Sequence, residues 1–547
     1  MHRGIHITLT IACATVLGAV LFTHIACAQN GLDVCSSSVD IASLVPGGAN
    51  PDPDVVATVA EAAANFAAAL AQVPAALDLS TQLQVLGKLG LNDQTLSVDQ
   101  NLACTFCHRP TAGFTNGVSL FNQTIVASPG SVHITNATAG GPNFRIAPRK
   151  PQTYGYAPFA PILTFRATQA DFYGGNFWDM RATGIRLNNP AAEQAQGPPV
   201  NPLEHGFPDT ACMVYRVSLG PYRAFFEQVW GANSFAITWP GDVATVCSTP
   251  GPAPAADPFP VHLNAVDRGT SNATFDHLAM AMAAYEAAPD VSPFSSKFDF
   301  ALAQSNQRVL SKDEQAGWDL FRGKGTCNTC HLDGTENRGN NGVGNIIPAK
   351  TTNLAPLFTD FTSSNLGLPK NLALPFYCED TPDQFGFTAN AAGLAYLDEG
   401  VGGMLSGPQC PTTNHGQGIP PQLTSPPANC NPTAAWAAFA PQFDGKFQVP
   451  TLRNVDERPY PTFVKAYMHN GYLKSLKEVV HFYNTRDTLA PCAQGSPGEK
   501  VTCWPPSEIE ANKDTTVGNL GLTEKQESQI VAFMKTLTDG FTPPATP

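Results

Sequence analysis

Residues 325–334 read GTCNTCHLDG. Cys327 and Cys330 stand three apart, and His331 follows at once. A C-x-x-C closed by histidine has three chemical readings: a redox thiol pair, half of a zinc site, or a covalent haem anchor. The pattern recurs in ACTFCHRP, as Cys104, Cys107 and His108. With 14 cysteines and 12 histidines in 547 residues, composition alone yields about 0.008 such matches. Zinc needs four ligands, usually as two neighbouring pairs, and these motifs lie far apart in the chain. A redox pair does not need the histidine. Haem c uses all three residues, the thiols for the porphyrin vinyl groups and the imidazole for the iron. Haem is the favoured reading, with zinc and redox thiols as the alternatives.

The length allows two or more domains with sizeable cores. A formal net charge of -13 argues against nucleic acid and against an anionic membrane surface as partners. It suits a basic electron-donor protein, and it equally serves solubility. The start, MHRGIHITLTIACATVLGAVLFTHIACAQN, has a basic residue, an apolar run and the triplet Ala26-Cys27-Ala28. It reads as a secretory signal over residues 1–28. Cys27 raises a lipoprotein alternative that His24 fits poorly. No later segment reaches the 18 apolar residues of a membrane span. The expectation is an exported protein, in the periplasm or at the cell surface, that does not span the membrane. Export agrees with haem c, which is attached outside the cytoplasm. Eight cysteines remain for up to four disulfides. Cys212–Cys247 and Cys492–Cys503 are plausible local pairs among connectivities that spacing cannot fix.

The coarse pattern is mainly helical, with long irregular loops. Capping boxes are expected at Ser97/Gln100, Ser311/Glu314 and Thr523/Gln526. Phe275, Leu278, Ala279 and Met282 share one helix face, as do Ile530, Phe533, Met534 and Leu537. Each half runs from a capped helix into C-x-x-C-H, then a loop region, then closing helices. The expected organisation is two cytochrome c-like haem domains, residues 29–300 and 301–547. Residues 333–446, rich in Gly, Asn, Pro and Cys, are expected to form a disulfide-tied insertion.

The order of motifs resembles the bacterial di-haem cytochrome c peroxidase and MauG family. The match runs over residues 84–537, through LGKLGLNDQTLSVDQNLACTFCH, FWDMRA, QAQGPPVNPLEHG, LSKDEQAGWDLFRGKGTCNTCH, FTSSNLGLP, VPTLRNV and YMHNGYLKSLKEVVHFYN. The resemblance implies two covalently bound haem c groups. The first, at His108, would meet hydrogen peroxide. The second, at His331, would pass electrons. It further implies that Gln194 and Glu204 lie above the first iron, where a carboxylate can carry the peroxide's proton and an amide can orient it. The plainer reading of Glu204 is a surface loop carboxylate. Trp178 matches a tryptophan between the haems that relays electrons, and it would also serve as a packed core aromatic.

The departures are informative. Tyr483 stands where the orthodox peroxidases place a methionine ligand of the second haem, as tyrosine does in MauG. A phenolate stabilises ferric iron. The plainer reading makes Tyr483 a core residue beside Leu476, Val479 and Val480, and His481 is the competing ligand, two residues away on another face. No histidine matches the loop residue that blocks the first haem in orthodox enzymes, His133 being displaced, so the first haem is expected to be open. The resemblance also implies calcium between the haems, held by an Asn and a Thr-x-Pro. Lys150 stands near that Asn and VDERPYPTF interrupts the rest, which leaves calcium an open question. His469 matches a family histidine near the second haem. His205, His262, His277 and His415 read as ordinary.

The expected function is an exported di-haem c-type peroxidase with a MauG-like tyrosine ligand. Its electrons would come from a small cytochrome c or cupredoxin. The alternatives are a MauG-like oxidase acting on residues of a partner protein, a dioxygen-using relative, and a non-catalytic electron-transfer cytochrome.

Overall fold

A computed structural model of the chain describes residues 39–73, 76–135, 143–303, 309–334, 346–348, 354–407 and 434–543. The signal at residues 1–28, Cys35, Cys410, Cys430 and His415 lie outside the described residues.

The chain is mainly helical, and its strands are only two or three residues long, paired in four two-stranded ribbons. Two apolar cores divide it. The first runs from Ala69 to Val291 and the second from Phe298 to Leu537. Each is built around one helix crossing. In the first core, Leu79–Asn92, which precedes ACTFCH, crosses the long helix Ala265–Glu286. In the second, Lys312–Arg322, which precedes GTCNTCH, crosses Glu524–Lys535.

Both crossings are made at a glycine. A Cβ on Gly87 would overlap the Ala281 carbonyl, and one on Gly317 would overlap that of Gln529. Helical glycine to alanine ordinarily gains about 1 kcal/mol from propensity. Here the clash with main chain outweighs that gain, since overpacking costs about 1–3 kcal/mol or more. Gly317→Ala is therefore expected to lower the urea unfolding midpoint, where an exposed helical glycine would raise it.

The capping boxes at Ser311/Glu314 and Thr523/Gln526 are present, with both reciprocal hydrogen bonds formed. Ser97 behaves differently. No helix starts there, and its hydroxyl accepts from the backbone N–H groups of Asn101 and Leu102, at 3.1 Å each. Gln100, at φ +55°, turns the chain instead. The helix that follows is only Cys104–Cys107. A serine oxygen can serve a turn as readily as a helix N-terminus, and the i, i+3 spacing does not separate the two.

Phe275, Leu278, Ala279 and Met282 are buried, as are Ile530, Phe533, Met534 and Leu537. Cys212–Cys247 and Cys492–Cys503 are disulfides, and Cys378 is disulfide-bonded too. The described parts of residues 354–407 pack back onto the first half. Buried Arg145 donates to Asp383 at 2.7 Å and lies 4.4 Å over the Phe387 ring. Arg149 donates to both oxygens of Asp398, at 2.6 and 2.7 Å. No helix among the described residues is long and apolar enough to cross a membrane.

Candidate functional site

Each C-x-x-C-H opens into its own cavity, and the two cavities share a wall. The larger, of about 1930 Å³ including its mouth, is lined by Cys107, His108, Gln194 and Glu204. The other, of about 1500 Å³, is lined by Cys327, Cys330, His331 and Tyr483. None of the four motif cysteines is in a disulfide.

The two histidines are held alike. His108 Nδ1 lies 3.1 Å from the Phe114 carbonyl, and His331 Nδ1 lies 3.0 Å from that of Phe358. A carbonyl acceptor fixes the proton on Nδ1 and leaves Nε2 as a lone-pair donor. Burial pushes the His108 imidazole down to about 4, and it lowers His331 as well. Two cysteines at C-x-x-C spacing, a neutral imidazole and a large cavity are the donor set that a covalently held haem requires. The residues present fit that group in both places.

Above His108, Gln194 comes from the helix Pro190–Ala195, and Glu204 from the loop that follows it. Asn201 Nδ2 donates to Glu204 Oε1 at 2.7 Å. The Glu204 main chain is fixed at both ends. Its N–H donates to Asn201 O at 3.0 Å, and its carbonyl accepts from Ser131 N–H at 2.7 Å. Burial raises the Glu204 carboxyl above the ordinary glutamate value, with Arg181 and the Asn201 amide opposing the rise. His108 is the only described histidine that lines this larger cavity. His133 is exposed, its ring against Phe144.

In the second cavity, Leu476, Val479 and Tyr483 project from one face of the helix Leu476–Thr485. Asn484, about a quarter-turn round from Tyr483, locks that helix to its neighbours. Its amide donates to Glu527 Oε1 at 2.7 Å and to Leu522 O at 3.0 Å. The Tyr483 hydroxyl has no hydrogen-bond partner among the described residues, and burial raises its pKa far above the usual phenol value. His481 points elsewhere. Its Nδ1 meets Glu527 at 3.0 Å and its Nε2 the Val501 carbonyl at 3.0 Å. Met468 and Met534 also line this cavity.

Trp178 lies in the shared wall and lines both cavities. Phe177 and Met180, on either side of it, take φ of +70° and +61°. Non-glycine residues rarely adopt that conformation, which costs of order 1 kcal/mol each. The indole Nε1 donates to Lys150 O at 2.8 Å. His469 packs edge-on to the indole at 6.4 Å and stacks on Phe447 at 3.5 Å, with its Nε2 buried and unpartnered.

Several residues here escaped the sequence reading. His205 is buried, its Nε2 3.8 Å from Cys104 Sγ. Its place directly after Glu204 was the available signal. Phe376, Phe387 and Tyr396 roof the first cavity although they belong to the second half of the chain. No local pattern announces a contact at that separation.

The family model described as di-haem cytochrome c peroxidase matches residues 81–307. The methylamine utilization protein MauG of Paracoccus denitrificans (strain Pd 1222) is 26% identical over 460 residues, which is 84% of this chain and 88% of that protein. The chain is thus similar to the di-haem cytochrome c peroxidases and MauG over most of its length. Cytochrome-c peroxidase IdrP1 of Denitromonas iodatirespirans is 24% identical over 474 residues, covering 85% of this chain and 84% of that protein. The crystal structure of the dihaem peroxidase BthA from Burkholderia thailandensis E264 superposes with a TM-score of 0.54. It covers 84% of this chain and 86% of BthA at 23% identity, and shares the fold. The family model and the peroxidase relatives make the protein an oxidoreductase, and the di-haem character of the matched family implies two haem groups.

Proposed function

We propose that the protein is an exported di-haem c-type peroxidase of MauG-like design, with residues 29–300 holding a peroxide-reactive haem and residues 301–547 a haem that relays electrons. The observation that carries this reading is the single tryptophan, Trp178, lining both C-x-x-C-H cavities. Cys104 and Cys107 would hold the first haem covalently, with His108 binding its iron. Cys327 and Cys330 would hold the second, with His331 and Tyr483 binding its iron. Haem, when bound, supplies the peroxide activation and the electron storage.

The chain's own residues supply positions and protons. The Glu204 carboxylate takes the proton of the incoming hydrogen peroxide and returns it to the departing oxygen. Gln194 orients the peroxide. Trp178 bridges the two cavities for electrons.

Tyr483, and the lack of a second histidine lining the larger cavity among the described residues, favour the MauG-like variant, in which electrons come from residues of a partner protein. In the other variant a small cytochrome c or cupredoxin donates them. Low-temperature EPR of the ferric protein, with peroxide added and no reductant, tests the reading. A high-spin signal beside a low-spin one, both lost on adding peroxide, is expected. Two low-spin signals indifferent to peroxide until one electron is supplied would overturn it.

A further inference from the structure

The resemblance implies calcium in the wall between the cavities, and the residues present do not fit it. No group of three or more His, Cys, Asp or Glu is placed for a metal among the described residues. The wall instead contains two buried lysines, Lys150 at 8% and Lys465 at 3% exposure, and both line the second cavity.

Lys465 Nζ donates to three main-chain carbonyls, Ala112 at 3.0 Å, Asn454 at 3.1 Å and Glu457 at 3.1 Å. An ammonium has three N–H donors, so its capacity is filled. Converging carbonyl oxygens are what a hard cation such as calcium takes, and here they are spent on a side chain. The nest joins the two halves, since Ala112 lies four residues beyond His108, while Asn454 lies within VPTLRNV and Glu457 just beyond it. It leaves no spare room. A Cβ on Gly113, at φ +67°, would sit 2.7 Å from Asn454 O and 2.9 Å from Lys465 Nζ.

Lys150 lines both cavities. Its ammonium makes one hydrogen bond, to Pro151 O at 3.2 Å. Its main chain clasps the relay residues, with the N–H donating to His469 O at 2.7 Å and the carbonyl accepting from the Trp178 indole. Neither lysine has a carboxylate within ion-pair distance among the described residues. Buried charges are usually paired, so an unpaired pair of lysines beside a redox relay calls for a purpose.

We propose that Lys465, with Lys150 beside it, is the resident cation of the inter-haem wall, and that it stands in place of a bound calcium ion. The coupling between the two haems is then independent of calcium. The positive charge that the three carbonyls hold there favours the electron-rich state of both haems without an exchangeable ion; burial lowers Lys465 to about 8 and Lys150 to about 7, so this effect is full at pH 6 and fades as pH rises through those values.

The test uses the purified holoprotein. Elemental analysis is expected to find no stoichiometric calcium, and EGTA or added calcium should leave the EPR spectrum and peroxide turnover unchanged. One calcium per chain surviving dialysis, or an EPR change with EGTA that calcium reverses, would overturn the proposal. Lys465→Met is expected to lower both haem midpoint potentials, while Lys465→Arg holds them near wild type. Unmoved potentials in a Lys465→Met protein with intact haem spectra would also overturn it. If Lys465→Met fails to fold, Lys150→Gln is read in the same way at pH 6, below the value of about 7 to which burial lowers the Lys150 ammonium.

Discussion

Glu204→Gln is expected to lower the turnover number for hydrogen peroxide by about 10²–10⁴-fold, the range for loss of a positioned general acid–base. Glutamine keeps the shape. Its side-chain oxygen can still accept from Asn201 Nδ2, which meets Glu204 Oε1 at 2.7 Å. The main-chain bonds to Asn201 and Ser131 are untouched. What the amide cannot do is accept and return a proton. The EPR signals of both haems should therefore persist while turnover falls. The pH profile gives a second readout. The carboxyl must be ionised to take the peroxide's proton, and it is protonated below its folded pKa. Burial raises that pKa, so the acid limb of turnover should lie above the ordinary glutamate value of about 4.3. Asn201→Ala removes a bond that favours the anion and should move the limb further up. Peroxide turnover unchanged in Glu204→Gln would refute the catalytic reading and favour an electron-transfer cytochrome.

What could be read from the sequence was local. C-x-x-C-H is a covalent motif with fixed spacing, so its chemistry needs no tertiary context. The boxes at Ser311 and Thr523 lead amphipathic helices whose apolar stripes agree with the start signal, and both formed. Ser97 carried the same spacing without a long amphipathic run behind it, and became a turn. The cysteine pairs 35 and 11 apart closed as disulfides. Long-range features were not legible. Tyr396 reaches the first cavity because Arg149 grips Asp398, two residues along. Although burial opposes ionisation, that guanidinium holds Asp398 down to about 2, so the clasp stays charged across the working pH range. Nothing local singles out Lys465, since its three carbonyl partners come from segments 8, 11 and 353 positions away.

Tyr483→Met is expected to raise the midpoint potential of the second haem by on the order of 100 mV or more, given that axial ligands span roughly 0.8 V across haem proteins. The thioether favours the reduced iron, whereas the phenolate favours the ferric state. The position permits the exchange. Tyr483 shares its cavity face with Leu476 and Val479, and an unbranched methionine fits an apolar face without overpacking. The helix itself stays put, because its anchor is the neighbouring Asn484, whose bonds to Glu527 and Leu522 the exchange leaves intact. Mild reductants should then reduce the second haem, and the loss of EPR signal on adding peroxide without reductant should disappear. Tyr483→Phe separates ligation from packing. It keeps the ring and removes the donor, so it should leave the second haem five-coordinate or water-ligated, with a high-spin signal replacing the low-spin one. A Tyr483→Phe protein with wild-type EPR and potential would shift ligation to Met468 or Met534, which line the same cavity. His481 could not take the role without giving up Glu527 and the Val501 carbonyl, which occupy both of its nitrogens.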